Sequence, residues 1–184
     1  MNIVPLTPDR FADLERLFGP NGANSGCWCM WWRVAAKDWQ AADNRAAIAG
    51  IVGRGEPVGL LAYDADEPVG WTAVAPRPAY PRLLRSQTLR LAPADEPGVW
   101  SVTCFYIHRR YRRKGVAAAL LDAAVAHAET QGTTAVEGYP VDTAGERRPS
   151  GDLFTGTVPL FARAGFHEHA RPATGRRIVM RFSR

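Results

Sequence analysis

Five cations crowd into six residues: Arg109, Arg110, Arg112, Arg113 and Lys114. They stand between an apolar run over residues 100–107 and a long amphipathic run that opens at Gly115-Val116-Ala117-Ala118. A helix start leaves its first N–H groups unpaired and carries the positive end of the helix dipole, so it attracts phosphate. Gly115 lets the backbone close on a bulky anion, while Ala117 and Ala118 keep side chains out of its way. The pattern implies a phosphate-bearing ligand. G-x-x-x-x-G-K-[ST] and G-x-G-x-x-G are both absent, which excludes a Walker loop and a dinucleotide fingerprint. A solvated basic turn ahead of an ordinary helix is the other reading of the same residues.

The elements that must hold this segment alternate between strand and helix. Residues 3–6 read as a strand, and Thr7-Pro8 starts a helix carrying Phe11, Leu14 and Phe18 at helical spacing. A Gly- and Asn-rich loop over 19–26 leads into the aromatic segment CWCMWWR, and residues 44–52 form a second helix. Apolar runs 58–63 and 69–75 flank the turn DADEP and read as a hairpin. Proline-rich residues 76–98 read as mostly loop. Residues 100–107 are the clearest strand and 115–131 the clearest helix, stopped at Gly132. A strand over 135–141, a polar loop over 142–154, a short helix over 158–164 and a hairpin of 166–169 with 178–182 complete the chain. Strand, helix and strand between 100 and 141 imply a right-handed crossover and a parallel pair. The class is α/β with a mixed sheet.

Two motifs now carry a family resemblance. Arg112-x-x-Gly115-x-Ala117 resembles the [QR]-x-x-G-x-[GA] signature of the GCN5-related N-acetyltransferases (GNAT), and residues 107–111 resemble its V-x-P-x-Y lead-in, with Arg109 in place of proline. Leu160-Phe161-Ala162-Arg163-Ala164-Gly165-Phe166 looks like the family's L-[FY]-x-x-x-G-F element. The element order agrees from first strand to last hairpin, so residues 1–184 are expected to form a single domain of this type.

The resemblance implies a mixed, mostly antiparallel sheet flanked by helices, with strands four and five splayed apart. It implies acetyl-CoA as co-substrate, its pantetheine arm pairing with main-chain groups of Phe105 and Ile107. The pyrophosphate would rest on the turn Arg113, Lys114, Gly115, Val116, Ala117 and Ala118, with Arg112 at the first signature position. An opened strand edge has donors and acceptors that an amide-bearing arm can satisfy. The expected reaction is N-acetyl transfer to a primary amine by direct attack on the thioester. Many relatives use a tyrosine as general acid where this chain has Phe161, which has no proton to give. Some place a glutamate where this chain has Ser101, and others one on strand five, where Glu137 falls. Strand alternation puts Glu137 and Tyr139 on one side, and they are the expected base and acid. A longer acyl-CoA as donor and a non-catalytic acyl-CoA sensor are the rival readings.

Other reactive residues are set aside. Cys27-x-Cys29 is too tightly spaced for the usual zinc pattern, so no metal is expected, and Cys104 reads as a small buried hydrophobe. Trp28, Trp31, Trp32 and Trp39 either line an acceptor pocket or staple the N-terminal helices onto the sheet. The chain has 184 residues, 46% of them hydrophobic, which excludes intrinsic disorder. Its net charge of +5 comes without a nucleic-acid motif, so no nucleic-acid partner is expected. No run is long enough to span a membrane, and the N-terminus lacks a signal-peptide pattern. Three cysteines without a leader fit the cytoplasm. The expected partner is a small-molecule or peptide amine. Oligomeric state stays open, a homodimer being common in the family.

Overall fold

The computed structural model describes residues 1–86, 88–89 and 96–183. Among these residues seven strands make one sheet: β1 (Asn2–Pro5), β2 (Gly59–Asp64), β3 (Glu67–Pro76), β4 (Val99–Ile107), β5 (Ala135–Gly138), β6 (His167–Ala170) and β7 (Val179–Phe182). Their spatial order is β1-β2-β3-β4-β5-β7-β6. The pair β4–β5 is parallel, and the other neighbouring pairs among the described residues are antiparallel. The mixed, mostly antiparallel sheet is therefore as expected.

Among the described residues five α-helices cover the sheet: α1 (Phe11–Phe18), α2 (Asn44–Gly53), α3 (Pro81–Leu84), α4 (Val116–Thr130) and α5 (Val158–Arg163). Side-chain alternation along the strands splits the apolar residues between two faces. Leu61, Trp71 and Cys104 join α1 and α2 residues on one face, while Leu60, Ala62 and Phe105 join α4 residues on the other. α4 buries Val116, Leu120, Leu121, Ala124, Val125 and Ala128. It comes so close to β3 that a methyl at Gly70 would sit 2.8 Å from Val116 Cγ1. α2 is capped by Asp43, whose carboxylate accepts from Ala46 N–H at 2.9 Å.

Several boundaries differ from the sequence reading. Thr7 and Pro8 open a 3-10 turn, Pro8–Arg10, and the α-helix begins only at Phe11; the Thr7 hydroxyl accepts from Arg10 Nη1 instead of capping the backbone. Within 76–98 the chain forms a 3-10 turn, Arg77–Ala79, and then α3; residues 87 and 90–95 of that stretch lie outside the described residues. The strand expected over 135–141 ends at Gly138. Pro140 lacks the N–H that would continue a ladder, and Val141 makes only isolated bridges, to Thr157 and Arg177.

The feature that matters for function is where β4 leaves β5. They pair over Val99–Val102 only. There the register of β4 against β3 shifts, so that Ala73 faces Cys104 and Val74 faces Val102, leaving Thr103 as an extra residue on β4. A bulge bends its strand, and residues 103–107 run on with one edge free of β5. The Phe161 ring fills the base of this opening, where a methyl on Gly138 would overlap it. It packs edge-on against Phe105 and Phe166, with ring centroids 6.1 and 5.0 Å away.

Candidate active site

α4 starts without a side-chain cap and with no acidic residue in its first turn. Gly115 is its N-cap, at φ 81°, and the first intrahelical bond runs from Ala119 N–H to Gly115 C=O at 3.0 Å. The N–H groups of Val116, Ala117 and Ala118 therefore have no intrahelical acceptor. Arg112, Arg113 and Lys114 are exposed around them, and the Lys114 ammonium lies 5.1 Å above the Tyr111 ring. Val116 contributes only its backbone, because its side chain is buried under the sheet.

A groove of about 610 Å³ runs from this turn along the free edge of β4. Phe105, Ile107, Arg112, Arg113 and Ala117, all expected at the donor site, line it together. Ser150, Thr157 and Arg163 line it as well. Those three lack a distinctive sequence signal, since the loop and helix that bear them are placed by the fold. The main-chain groups of Phe105 and Ile107 on the free edge already have partners. Phe105 N–H donates to Phe154 C=O at 2.6 Å, and Ile107 C=O accepts from Arg112 Nε at 3.2 Å. Arg112 also reaches Ser150 Oγ, 3.3 Å away.

A second cavity, of about 310 Å³, adjoins the groove. Both are lined by Ala23, Asn24, Phe105, Tyr106, Gly151 and Phe154. Beyond that junction the cavity wall is Trp31, Trp32 and Trp39 with Cys27, Cys29 and Cys104. In the tryptophan cluster, Trp28 packs on Phe18, while the other three line this cavity. Cys29 Sγ lies 3.0 Å from Cys104 Sγ. Burial first, and then this contact, push the Cys29 thiol well above its usual range. Cys27 is also raised, chiefly by its hydrogen bond with Cys29. Cys27 and Cys29 are thus poor nucleophiles. Tyr106, which the sequence reading passed over, is the phenol at the junction. Alternation along β4 turns it to the face opposite Phe105 and Ile107, where it packs on Phe18.

Glu137 and Tyr139 lie elsewhere. Their side chains are buried, and neither lines the groove or the cavity. Glu137 accepts from Arg77 Nη1 at 3.2 Å and from Arg181 Nη2 at 2.6 Å. Arg181 Nε also donates to Glu137, at 3.2 Å, while Nη1 and Nη2 reach Glu96. The Tyr139 hydroxyl donates to Glu137 at 3.0 Å and meets Ser101 Oγ at 2.8 Å. Burial, reinforced by the Glu137 charge, raises Tyr139 well above the normal phenol range. The network joins β4, β5 and β7 to the turn after β3. Among the described residues no group of three or more His, Cys, Asp or Glu side chains could hold a metal ion. No described helix is long and apolar enough to cross a membrane.

An uncapped helix start beside an opened strand edge, with a cavity at its far end, defines a two-substrate group-transfer site. The Acetyltransferase (GNAT) family model matches residues 25–147, about two thirds of the chain, and the chain belongs to that family. No curated protein matches the sequence. Among solved structures, one similar protein is the PaiA N-acetyltransferase of Thermoplasma acidophilum in complex with coenzyme A. It is 12% identical with a TM-score of 0.58, over 100% of this chain and 98% of that one. YncA of Salmonella typhimurium, a putative acetyltransferase with its cofactor acetyl-CoA, is 14% identical over 99% and 92% of the two chains, with a TM-score of 0.55. AAC(6')-Ib, in complex with ribostamycin and coenzyme A, is 18% identical over 100% and 93%, with a TM-score of 0.61.

Proposed function

We propose that this protein transfers the acetyl group of acetyl-CoA to a primary amine by direct attack on the thioester, with residues 1–184 acting as one acetyltransferase domain. One observation carries the reading: the groove that starts at the N–H groups of α4 runs, at Phe105 and Tyr106, into an adjoining pocket walled by aromatic rings. A long anionic donor and a small acceptor would meet there. The residues fit coenzyme A, because three unpaired amides, no nearby carboxylate in the first turn and flanking cations suit a pyrophosphate. When bound, acetyl-CoA supplies an activated acetyl thioester.

The chain's own residues do the rest. Amides of residues 116–118, with Arg112, Arg113, Lys114 and Arg163, hold the phosphates. Phe105 N–H, on the free edge of β4, polarises a donor carbonyl that takes the place of Phe154 C=O against it. The aromatic wall excludes water and disfavours an ammonium ion, so the amine enters neutral. Tyr106, which lines both spaces, is the phenol that gives a proton to the leaving thiolate. Glu137 and Tyr139 then act by holding β4, β5 and β7 in place, a role supported by their burial and closed bonding. Three free thiols suit a reducing cytoplasm.

The test is a thiol-release assay with acetyl-CoA, and with longer acyl-CoAs, over a panel of primary amines. Release that requires both protein and amine, and that is fastest with acetyl-CoA, is the expected result. Tight acetyl-CoA binding without release on any amine would identify an acyl-CoA sensor instead.

A further inference from the structure

The walls of the 310 Å³ cavity carry aromatic rings, thiols and small polar side chains, and among the described residues none is Asp, Glu, His, Lys or Arg. A cationic amine finds no counter-charge there, and no side chain able to take its proton near neutral pH. The ring faces are also claimed. The Arg82 guanidinium sits 3.7 Å above Trp31 and 5.6 Å from Trp39. Arg177 lies 5.0 Å from the Phe154 ring and 6.0 Å from Trp32. A ring already facing a guanidinium offers little further attraction to a cation.

Arg82 and Arg177 also belong to an adjoining surface groove, which shares Trp31 and Trp32 with the cavity and adds Lys37 and Arg85. Among the described residues none of these four cations is paired with a carboxylate, and no Asp or Glu lines the groove. Arg177 is held by Thr155 Oγ1 at 3.2 Å, and burial draws it below the usual guanidinium range. Elsewhere on this surface arginines do find carboxylates, as Arg171 does with Asp142 and Glu168. Among the described residues the rim beside the cavity thus carries four cations without a carboxylate ion pair, Asp152 acting on Arg177 only from farther off.

We propose that the acceptor is a weakly basic aromatic amine bearing a carboxylate. Its amino group points to Phe105 and Tyr106, its ring lies among Trp31, Trp32 and Trp39, and its anion meets Arg82 and Arg177. The class follows from three constraints. A space of this size takes a molecule of one or two rings. An alkyl amine, with a pKa near ~10 like lysine, must be desolvated and deprotonated without a base, whereas an aryl amine is neutral at pH 7. Guanidiniums without an ion pair reward a carboxylate with charge-assisted bonds, and a polycationic acceptor would meet only repulsion. The inference rests on the proposed acetyl transfer and specifies its acceptor.

The experiment compares 4-aminobenzoate, aniline, benzylamine and spermidine in the thiol-release assay, alongside tryptophan-fluorescence titration of each amine. The expected kcat/KM is highest for 4-aminobenzoate, about tenfold above aniline, with spermidine last. Arg82→Gln and Arg177→Gln should each collapse the ratio between 4-aminobenzoate and aniline. Turnover fastest with spermidine or benzylamine overturns the inference and leaves acetyl transfer standing. So does a melting-temperature shift with acetyl-CoA but neither binding nor turnover of 4-aminobenzoate. No shift with acetyl-CoA and no thiol release on any amine overturns both.

Discussion

The backbone N–H of Phe105 donates to the carbonyl of Phe154 at 2.6 Å, across the opening where β5 has left β4. The loop bearing Phe154 thus satisfies a group that the family resemblance reserves for the donor. A buried amide is rarely left without an acceptor, and here the chain supplies its own.

A pantetheine arm laid along β4 must compete for that N–H. Titration with coenzyme A, followed by amide resonances, should move Phe105 and residues 150–156 strongly and leave residues 99–102, which stay paired with β5, nearly still. Saturation by coenzyme A with an unmoved Phe105 resonance would show that the arm takes another path.

Glu137 separates a structural role from a catalytic one. It sits between Arg77 and Arg181 with its side chain 1% exposed. Glu137→Gln removes the buried carboxylate that both Arg77 and Arg181 bond, so chemical denaturation should register a loss of about 3–5 kcal/mol. Activity per folded molecule should keep its pH profile. A general base would instead lower kcat by roughly 10²–10⁴ and remove the acid limb of that profile.

Phe161 occupies the family's tyrosine position, but its ring is fully buried between Gly138, Gly156 and Phe105. A hydroxyl added there by Phe161→Tyr enters a packed apolar niche. We expect a stability loss of about 1–3 kcal/mol and no gain in kcat. A rise in kcat would mean that this ring does reach the leaving group.

His127 is half-buried on α4, edge-on to Trp100 with ring centroids 5.7 Å apart. Burial lowers its pKa below the ordinary value. The unfolded chain therefore binds more protons in this range, and stability rises with pH. The contribution is complete above about pH 6.5, the unfolded value, and is lost as pH falls through the lower folded one. His127→Gln should flatten the melting-temperature curve below pH 6.5, and an unchanged slope would assign it to other groups.

The proposed donor side has a local signal. A cation cluster, Gly115 and two alanines are contiguous in the chain, and the fold adds only the β4 edge. The proposed acceptor side had none, because it is assembled from distant pieces. Cys104 and Tyr106 come from β4, Trp31 and Trp32 from the segment after α1, and Phe154 from the loop before α5. Glu137 and Tyr139 were placed correctly on one side of a strand, but alternation cannot distinguish a cleft from an interior. Arg77 and Arg181, 104 positions apart, decide that matter by closing around the carboxylate. Arg77 lies in the stretch read as mostly loop, so its buried bond had no signal in the sequence.

The central claim is that the start of α4 binds the donor's phosphates. Ala117→Asp tests it most directly, by isothermal titration with acetyl-CoA. An acidic residue in the first turn complements the helix dipole, so the variant should fold with equal or slightly higher stability. Its charge stands where a pyrophosphate would lie, and affinity should fall about tenfold or more. Undiminished affinity in a folded Ala117→Asp protein would contradict the account.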